Sequence, residues 1–305
     1  MKAVLLDGHT INPGDLSWKP IEDLCDEFVV YDKTEPDQIA GRIADCDVLM
    51  TSKCSITRQL MESAANLKYI GETATGYNNI DIEAAADLGI AVANVPAYST
   101  DAVAQHAIAL MLELANNVGL HSAGVHEGEW TNSEYFCYWK KPVTLLAGKS
   151  LGIIGYGAIG SRVAEIGAAL GMEINIYSRD EKATVSSDII SLHCPLTEEN
   201  TRMINEDFID RMKPGAFLIN TARGALIDEH AMAAALRSGK LGGAALDVLT
   251  DEPPAEDNPL IGLDNCIITP HIAWVPREMR QKVIDILAEN LAAWQKGESL
   301  NRVEL

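Results

Sequence analysis

Short apolar runs alternate with helix-like stretches along the first hundred residues of the chain. The runs "AVLLD", "FVVYD", "VLMTS", "LKYIGE" and "IAVANV" have the length of strands, and "DQIAGRIAD" and "IDIEAAADLG" between them carry helical spacing or a capping residue. Strands that alternate with helices in this way are typical of a parallel sheet. The pattern therefore predicts a parallel α/β domain in the first third of the sequence.

A second alternating series begins at "SLGIIG" and continues through "EINIYS", "DIISLH", "GAFLINT", "GGAALDV" and "CIITPH". Each is a continuous apolar run, as expected for strands covered by helices on both faces. The chain then has apolar positions at helical spacing, with Pro276 suited to a first turn and Gly297 to a helix end. We expect this helix to fold back onto the first domain, so that residues 1–98 with 275–305 form one domain and residues 99–274 the other.

A long apolar helix and an irregular segment lie between the two series. The stretch "STDAVAQHAIALMLELANN" offers Ser99 or Thr100 as an N-cap and is apolar almost all round, which predicts burial between layers or between subunits. The stretch "HEGEWTNSEYFCYWKKPVTLLAGKS" follows, with little periodicity and several large aromatic residues. Compact domains rarely contain so long a structureless loop. We therefore expect residues 119–149 to form an arm that packs on another surface, such as that of a partner subunit.

The charge of the chain restricts its partners. The 305 residues carry a formal net charge of −20, and a field of this sign repels nucleic acid and anionic membrane. An anionic substrate must therefore meet a local cluster of basic side chains. The first residues hold too few apolar positions for a secretory signal, and no apolar run approaches the roughly 18 residues of a membrane span, which favours a cytoplasmic protein. The six cysteines contain no C-x-x-C pair, so we predict neither a metal site nor a disulfide framework.

The second series begins with a glycine pattern that predicts dinucleotide binding. Gly155, Gly157 and Gly160 form G-x-G-x-x-G directly after the strand "LGII" and at the start of the helix "AIGSRVAEIGAALG". The first glycine permits a tight turn, the second lets the backbone approach a pyrophosphate, and the third allows close packing of helix on strand. The helix N-terminus adds free N–H groups and partial positive charge.

The next strand ends on residues that leave the choice of cofactor open. A carboxylate at this position selects NAD, because it binds the ribose hydroxyls and repels a 2′-phosphate. Here Ser178 cannot repel the phosphate and Arg179 can pair with it, which favours NADP, although Asp180 and Glu181 follow at once and could restore the preference for NAD. Only residues 179–187 remain for the crossover to the next strand, which indicates either a crossover without its helix or an omitted segment.

Three polar residues follow later strands of the second series, at the sheet edge where ligands of open α/β sheets bind. They are Arg223 in "INTARGALIDE", Glu252 in "ALDVLTDEPP" and His271 in "CIITPHIAW". Taken singly, each has an ordinary structural interpretation: a surface arginine, a solvated acid and a hydrogen-bonded histidine. Their joint occurrence behind a dinucleotide pattern indicates a catalytic group.

Several motifs together resemble the NAD(P)-dependent D-2-hydroxyacid dehydrogenase family along nearly the whole chain. They are "GYGAIG", "SLHCPLTEENTRMIN", "MKPGAFLINTARGALIDE", "AALDVLTDEPP" and "NCIITPHIAW". Within that family, "LDGHTINPGDLSW", "TATGYNNIDIEAA", "NVPAYSTDAVAQHA" and "FCYWKKPVTLLAGKSLGIIG" are most similar to the glycerate dehydrogenases, or hydroxypyruvate reductases. The resemblance implies an α/β fold of two doubly wound parallel-sheet domains: a Rossmann-type nucleotide domain and a flavodoxin-like substrate domain.

By this resemblance Arg223, Glu252 and His271 are the catalytic residues of an NAD(P)H-dependent reductase of a small 2-keto acid. Histidine titrates near neutrality and can give a proton to the carbonyl oxygen. The glutamate would orient the imidazole and favour its charged form, and the arginine fork can hold the substrate carboxylate and polarise the carbonyl. Hydroxypyruvate, reduced to D-glycerate, is the expected substrate, with glyoxylate as a secondary one. The alternatives are a reductase of another 2-keto acid and a dinucleotide-sensing protein without activity.

The resemblance also assigns binding residues. Lys53, Thr75 and Gly76 are expected to bind substrate, and Trp139 to reach the active site of the partner subunit, although it could equally belong to the dimer core. His193 is expected to serve in packing rather than catalysis. Cofactor-binding residues are expected at Thr100, Gly155, Gly157, Ala158, Ile159, Gly160, Ser178, Arg179, Cys194, Pro195, Thr201, Thr221, Ala222 and Asp247.

Overall fold

The computed structural model of the protein describes residues 1–304. They divide into two compact units, the first formed by Met1–Ser99 with the segment from Val275 onward and the second by Thr100–Trp274. Each unit is built around one parallel sheet. Among the described residues no helix combines the length and the apolar character needed to cross a membrane.

The strands and helices alternate along most of the chain. The strands are β1 (Lys2–Leu5), β2 (Glu27–Val30), β3 (Val48–Thr51), β4 (Tyr69–Glu72), β5 (Ala91–Ala93), β6 (Ser150–Ile154), β7 (Glu173–Ile176), β8 (Ile189–Leu192), β9 (Ala216–Asn220), β10 (Leu241–Leu246) and β11 (Cys266–Ile268). The α-helices are α1 (Lys19–Glu22), α2 (Ile39–Ile43), α3 (Arg58–Ser63), α4 (Ile82–Asp87), α5 (Thr100–Asn116), α6 (Val118–His126), α7 (Ala158–Ala169), α8 (Glu181–Val185), α9 (Glu206–Arg211), α10 (Glu229–Ser238) and α11 (Arg277–Gln295).

The first unit has the strand order β2-β1-β3-β4-β5, all parallel. This is the flavodoxin-like order, so the predicted fold of this domain is confirmed. The C-terminal helix α11 begins after Pro276 and is followed by Gly297, as predicted. It packs against β4, where the rings of Tyr69 and Trp294 lie 5.2 Å apart. The last helix thus folds back onto the first sheet, as the sequence predicts.

The second unit has six parallel strands in the order β11-β10-β9-β8-β6-β7. The direction of strand order reverses at β6, as in a Rossmann-type sheet, and α7 begins at this switch point. The Rossmann order has a further strand outside the second one, whereas β7 is the edge strand here within the described chain. The predicted Rossmann-type fold is confirmed, with one outer strand fewer.

The short crossover from β7 to β8 accounts for this difference. Five of residues 179–187 form α8. The helix is capped by Asp180, whose carboxylate accepts a hydrogen bond of 2.9 Å from the N–H of Ala183. A single helical turn fits the interval, so the alternative of a crossover without a helix is wrong. The alternative of an omitted segment stays a prediction.

A glycine lets this turn lie directly on the sheet. A Cβ added at Gly152 in β6 would lie 2.6 Å from the carbonyl oxygen of Thr184 in α8, a distance that real side chains do not tolerate. The hydroxyl of Thr184 donates back to the carbonyl of Asp180 at 2.8 Å. The close approach explains how so few residues connect β7 to β8 over β6.

Helix α5 is the central helix of the second unit. Nine of its 17 residues are buried, and it packs on α7, β9 and β10. The predicted burial between layers is therefore present within one chain. The first part of the predicted arm is helical, as α6, and residues 127–149 contain no further helix or strand.

Glu72 is an acid enclosed in the core of the first unit. Its side chain is fully buried at the end of β4, and one carboxyl oxygen accepts a hydrogen bond of 3.0 Å from Asn79. Burial, helped by the negative charge of Asp7, raises the pKa of Glu72 to about 9. The group is therefore protonated and neutral in the folded protein at neutral pH.

We predict that Glu72→Gln removes a pH dependence of stability. The pKa of Glu72 in the folded protein lies above its value of 4.5 in the unfolded chain, so folding binds a proton between these values. The free energy of unfolding should fall as the pH rises through this window. Glutamine stays neutral and keeps the acceptor for Asn79, so the variant should be more stable than the parent at pH 8 by at least about 1 kcal/mol.

Urea unfolding at pH 5, 6, 7 and 8 measures this difference. Glu62→Gln, at an exposed acid of the same unit, is the matched control and should follow the parent at every pH. Equal pH slopes for Glu72→Gln and the parent would contradict a buried neutral acid at this position.

Candidate active site

Glycines shape the turn between β6 and α7. Gly155 has φ of 95°, and a Cβ there would lie 2.3 Å from the backbone nitrogen of Cys194. A Cβ at Gly160 would lie 1.9 Å from the carbonyl oxygen of Gly155. At Gly157, in contrast, no heavy atom of residues 1–304, apart from the adjacent residues in the chain, lies within 4 Å of the Cβ position. The fold thus requires glycine at the first and third positions, and the second leaves open space beside the backbone.

This open space fits the pyrophosphate of a dinucleotide. Helix α7 begins at Ala158, and Gly157 at its N-cap gives no side-chain acceptor to the first turn. The N–H groups of Ala158, Ile159 and Gly160 therefore lack intrahelical acceptors and lie at the positive end of the helix dipole. The buried hydroxyl of Thr221 also has no hydrogen-bond partner within residues 1–304. These groups suit a nicotinamide dinucleotide, which gives or takes a hydride when bound.

The residues after β7 make different interactions. Asp180 caps α8, and Glu181 forms an ion pair of 2.8 Å with Arg211. The guanidinium of Arg179 lies 5.2 Å from the ring centroid of Tyr156, a residue of the glycine turn. Ser178 precedes it in the same turn. Both acids that could favour NAD, Asp180 and Glu181, therefore interact with other protein groups.

The three predicted catalytic residues follow three neighbouring strands. Arg223 comes after β9, Glu252 after β10 and His271 after β11, and these strands are adjacent and parallel. Their carboxyl ends therefore meet at one edge of the sheet. The first two loops are in close contact: a Cβ at Gly224 would lie 1.9 Å from the carbonyl carbon of Leu249.

Asn220, the last residue of β9, shapes the loop that carries Arg223. Its buried amide donates to the carbonyl of Arg223 at 2.8 Å and accepts from the N–H of Ala222 at 2.9 Å. The guanidinium of Arg223 is exposed, and among the described residues it donates one hydrogen bond, to the carbonyl of Ala222 at 2.7 Å. Its remaining donors are available to an anionic ligand.

His271 and Glu252 form a hydrogen-bonded pair. The Nδ1 atom of His271 lies 2.6 Å from a carboxylate oxygen of Glu252, whose other oxygen accepts the N–H of Leu249 at 3.2 Å. Since the carboxylate can only accept, the proton is assigned to Nδ1, and Nε2 is left for a substrate. The pair has the geometry in which a carboxylate orients a histidine that exchanges protons.

The carboxylate of Asp247 is enclosed by protein groups, and the predicted role of this residue in cofactor binding stays a prediction. The residue is 1% exposed. Burial acts to raise its pKa, but hydrogen bonds from His106, Thr269 and the N–H groups of Ile272 and Ala273 outweigh this effect and hold the pKa of Asp247 below its usual range. The carboxylate is thus charged, and any role towards the cofactor would run through the turn it holds.

The substrate-binding residues predicted in the first unit lie on loops after adjacent strands. Lys53 follows β3, and its N–H donates to buried Asp7 at 2.7 Å. Thr75 and Gly76 follow β4, and the Thr75 hydroxyl donates to the carbonyl of Val95 at 2.8 Å. The loops are therefore held by short hydrogen bonds at the carboxyl edge of the first sheet. Contact with a substrate stays a prediction.

The other predicted cofactor residues lie at strand ends or at the start of α5. The loop after β8 is closed by its own hydrogen bonds, since the hydroxyl of Thr201 donates to the carbonyl of Thr197 at 2.9 Å. Burial lowers the pKa of His193 to about 4, and its Nε2 lies 2.8 Å from the Ser191 hydroxyl, which favours a packing role. Cofactor contact stays a prediction for Thr100, Cys194, Pro195, Thr201, Thr221 and Ala222.

Trp139 is 70% exposed, and its role towards a partner also stays a prediction.

Sequence reasoning missed the residues that hold these loops in place. Asn220 and Thr269 stand at or directly after a strand end, and Asp7 is the second residue after β1. A polar residue near a strand end was therefore a usable signal. His106 gave none, because it stands alone within the apolar pattern of α5. Its contacts with Asp247 and Thr269 join residues far apart in the sequence.

Three comparisons with known proteins agree with one another. The model of the "D-isomer specific 2-hydroxyacid dehydrogenase, NAD binding domain" family matches residues 108–273. A hydroxypyruvate reductase of Blautia hydrogenotrophica is 43% identical over 321 aligned residues, covering 99% of this chain and 99% of that protein. A glycerate dehydrogenase of Methylorubrum extorquens is 37% identical over 289 residues, covering 91% and 92%. The solved structure of the acyclic imino acid reductase Bsp5 with NADPH and D-Arg matches with a TM-score of 0.86 and 32% identity, covering 99% of this chain and 100% of that chain.

We predict that Glu252→Gln lowers turnover of a 2-keto acid and leaves cofactor binding intact. The amide oxygen can still accept the Nδ1 proton of His271 but brings no charge to stabilise the protonated ring. The kcat should fall about a hundredfold, within the range of general acid catalysis, and the cofactor Kd should stay within about twofold, well under 1 kcal/mol. Glu256→Gln, at an exposed acid nearby in sequence, is the control. Steady-state rates and fluorescence titration measure both quantities; an unchanged kcat would contradict the pairing.

Proposed function

This chain belongs to the family of D-isomer specific 2-hydroxyacid dehydrogenases, and we propose that it reduces hydroxypyruvate to D-glycerate, with glyoxylate as a secondary substrate. The observation that carries the proposal is the 43% identity with a hydroxypyruvate reductase along 99% of both chains. The adjacent strand ends that carry Arg223, Glu252 and His271 support it.

In the proposed reaction each of the three residues has a separate task. The guanidinium of Arg223 binds the substrate carboxylate and polarises the carbonyl oxygen, and it supplies the positive charge that an anion needs on a chain of net charge −20. The Nε2 atom of His271 gives a proton to the carbonyl oxygen while the bound nicotinamide supplies the hydride. Glu252 orients the ring through Nδ1 and stabilises its positive charge before transfer.

A reductase of another 2-keto acid, or of the imine derived from one, is the second candidate. A solved relative is an acyclic imino acid reductase, and the same pair of residues can protonate a nitrogen. A dinucleotide sensor without activity has less support, because this chain keeps all three catalytic candidates. A substrate panel separates these cases.

NADPH is the proposed cofactor. Both acids that follow Arg179 are engaged, Asp180 as the cap of α8 and Glu181 in its ion pair with Arg211. Within the described chain Arg179 has no carboxylate partner, and its contact is with the face of Tyr156. A guanidinium in this position suits the charge and geometry of a 2′-phosphate.

We further propose a cytoplasmic homodimer that associates through the arm, residues 119–149. The arm exposes large apolar side chains, with Phe136 at 89%, Leu145 at 76% and Trp139 at 70%. It is nevertheless ordered by its own contacts, such as the hydrogen bond of 3.0 Å from the Trp130 indole to the carbonyl of Phe136. An ordered apolar surface of this kind is typical of a subunit interface.

The proposed activity is tested by initial rates of hydroxypyruvate-dependent cofactor oxidation with NADPH and, separately, with NADH. We expect turnover with both and a kcat/KM at least about tenfold higher with NADPH, a difference of about 1.4 kcal/mol. The panel includes glyoxylate, pyruvate and a 2-keto acid with ammonia. A higher kcat/KM for pyruvate or the imine would replace the proposed substrate, and no turnover on any compound would favour the sensor.

Arg179→Ala tests the cofactor assignment within the same assay. It should raise the KM for NADPH about tenfold, as expected for one charged hydrogen bond, and leave the KM for NADH unchanged. Lys182→Ala, at a neighbouring positive charge on α8, is the matched control. A loss of equal size for both cofactors would mean that Arg179 does not bind the 2′-phosphate.

Charged residues on the arm should separate the subunits. Phe136→Asp with Leu145→Asp places two carboxylates in the proposed apolar interface, which costs several kcal/mol when they are desolvated. Sedimentation velocity should then show a monomer where the parent is a dimer. Ile261→Asp, at an exposed apolar residue outside the arm, should leave the dimer intact. A double variant that remains dimeric would place the interface elsewhere.

A further inference from the structure

The backbone at His271 is held in an unusual conformation. Its φ is 54°, in the left-handed region that residues other than glycine rarely adopt. Its N–H is shared between the carbonyl of Asp247 at 2.8 Å and that of Thr269 at 2.9 Å. Such a conformation persists only where the surroundings determine it, and the groups that do so therefore set the direction of the imidazole.

One buried carboxylate holds the turn on both sides of His271. Before it, the hydroxyl of Thr269 donates to Oδ1 of Asp247 at 2.6 Å. After it, the N–H of Ile272 donates to the same oxygen at 2.9 Å and the N–H of Ala273 to Oδ2 at 2.8 Å. Residues 269–273 are thus fixed to the end of β10.

A histidine on another element completes this network. The Nε2 atom of His106, in the middle of α5, lies 3.0 Å from the hydroxyl of Thr269 and 3.3 Å from Oδ1 of Asp247. The single hydroxyl proton of Thr269 goes to Asp247, because a carboxylate can only accept. The hydroxyl must then accept from His106, which places a proton on Nε2. His106 is therefore a donor that connects α5 to the turn.

We propose that His106 is a positioning residue for His271, acting through the Thr269 hydroxyl and the Asp247 carboxylate. The inference rests on the proposed function, in which His271 transfers the proton. His106 holds the Thr269 side chain from the α5 side while Asp247 holds it from the β10 side, so the hydroxyl has one position. Without the donor, the hydrogen bond to Asp247 alone holds the Thr269 side chain, and the left-handed turn at His271 loses one of its constraints.

His106→Leu removes the donor and keeps an apolar side chain of similar bulk. We expect kcat to fall about ten- to a hundredfold, the usual effect of a small displacement of a catalytic group. The Kd for NADPH, measured by fluorescence, should stay within about twofold, well under 1 kcal/mol. His106→Gln, which can place an amide donor near Nε2, should restore most of the kcat. His230→Leu, at an exposed histidine of α10 outside the arm, should behave as the parent.

Thr269 provides a second pair of variants that does not depend on the first. Thr269→Val has the same shape without the hydroxyl and should lose kcat as His106→Leu does, whereas Thr269→Ser should retain it. Because both changes break one network, the double variant His106→Leu with Thr269→Val should lose no more than the worse single variant. Additive losses, or a kcat within twofold of the parent for both His106→Leu and Thr269→Val, would overturn the proposal.

His271→Ala separates this inference from the function it rests on. If His271→Ala abolishes turnover while the His106 and Thr269 variants retain it, only the positioning role fails. If His271→Ala itself keeps full turnover, the proposed function fails, and the positioning role fails with it.

Discussion

All strands in both sheets run parallel, and this single constraint determines where the candidate site residues lie. In a parallel sheet every strand ends at the same edge, so residues that follow neighbouring strands come together however far apart they stand in the sequence. Arg223, Glu252 and His271 span almost fifty residues of chain, yet they follow β9, β10 and β11, which are hydrogen-bonded neighbours. The first unit repeats the arrangement, with Lys53 after β3 and Thr75 after β4. The order of the strands thus decides which loop residues become neighbours.

Strand order brings the loops together, but buried polar groups give them their shape. Asn220 closes the loop of Arg223, Asp247 fixes the turn of His271, and Asp7 accepts the N–H of Lys53. In each case a side chain at a strand end pairs with backbone groups of a loop that would otherwise be unsatisfied. An apolar residue at any of these three positions would leave backbone donors or acceptors without partners. The candidate catalytic side chains can remain partly exposed because the polar residues that hold their loops are buried.

The sequence predicts most of this architecture because its signals are local. The apolar runs, the glycines of the turn at Gly155 and the cap signals report on their own segments, and the strands at all eleven predicted positions are present. The helix in the crossover after β7 was not predicted, because the length of the interval alone does not reveal that Gly152 lets α8 lie on the sheet. His106 was missed for the same reason: its partners, Thr269 and Asp247, lie more than a hundred residues away. Pairings at this distance need the fold.

The short crossover also has an electrostatic consequence for the cofactor pocket. A helix of one turn needs a cap at its first residue, and here that cap is Asp180. The carboxylate of Asp180, the next residue in the sequence after Arg179, thus accepts the N–H of Ala183 in α8, and Glu181 forms an ion pair with Arg211. Because the positive charge of Arg179 is not paired with either acid, it stays available beside Tyr156 at the end of β7. The cap of the short helix thus also leaves the Arg179 guanidinium without an acidic partner among the described residues.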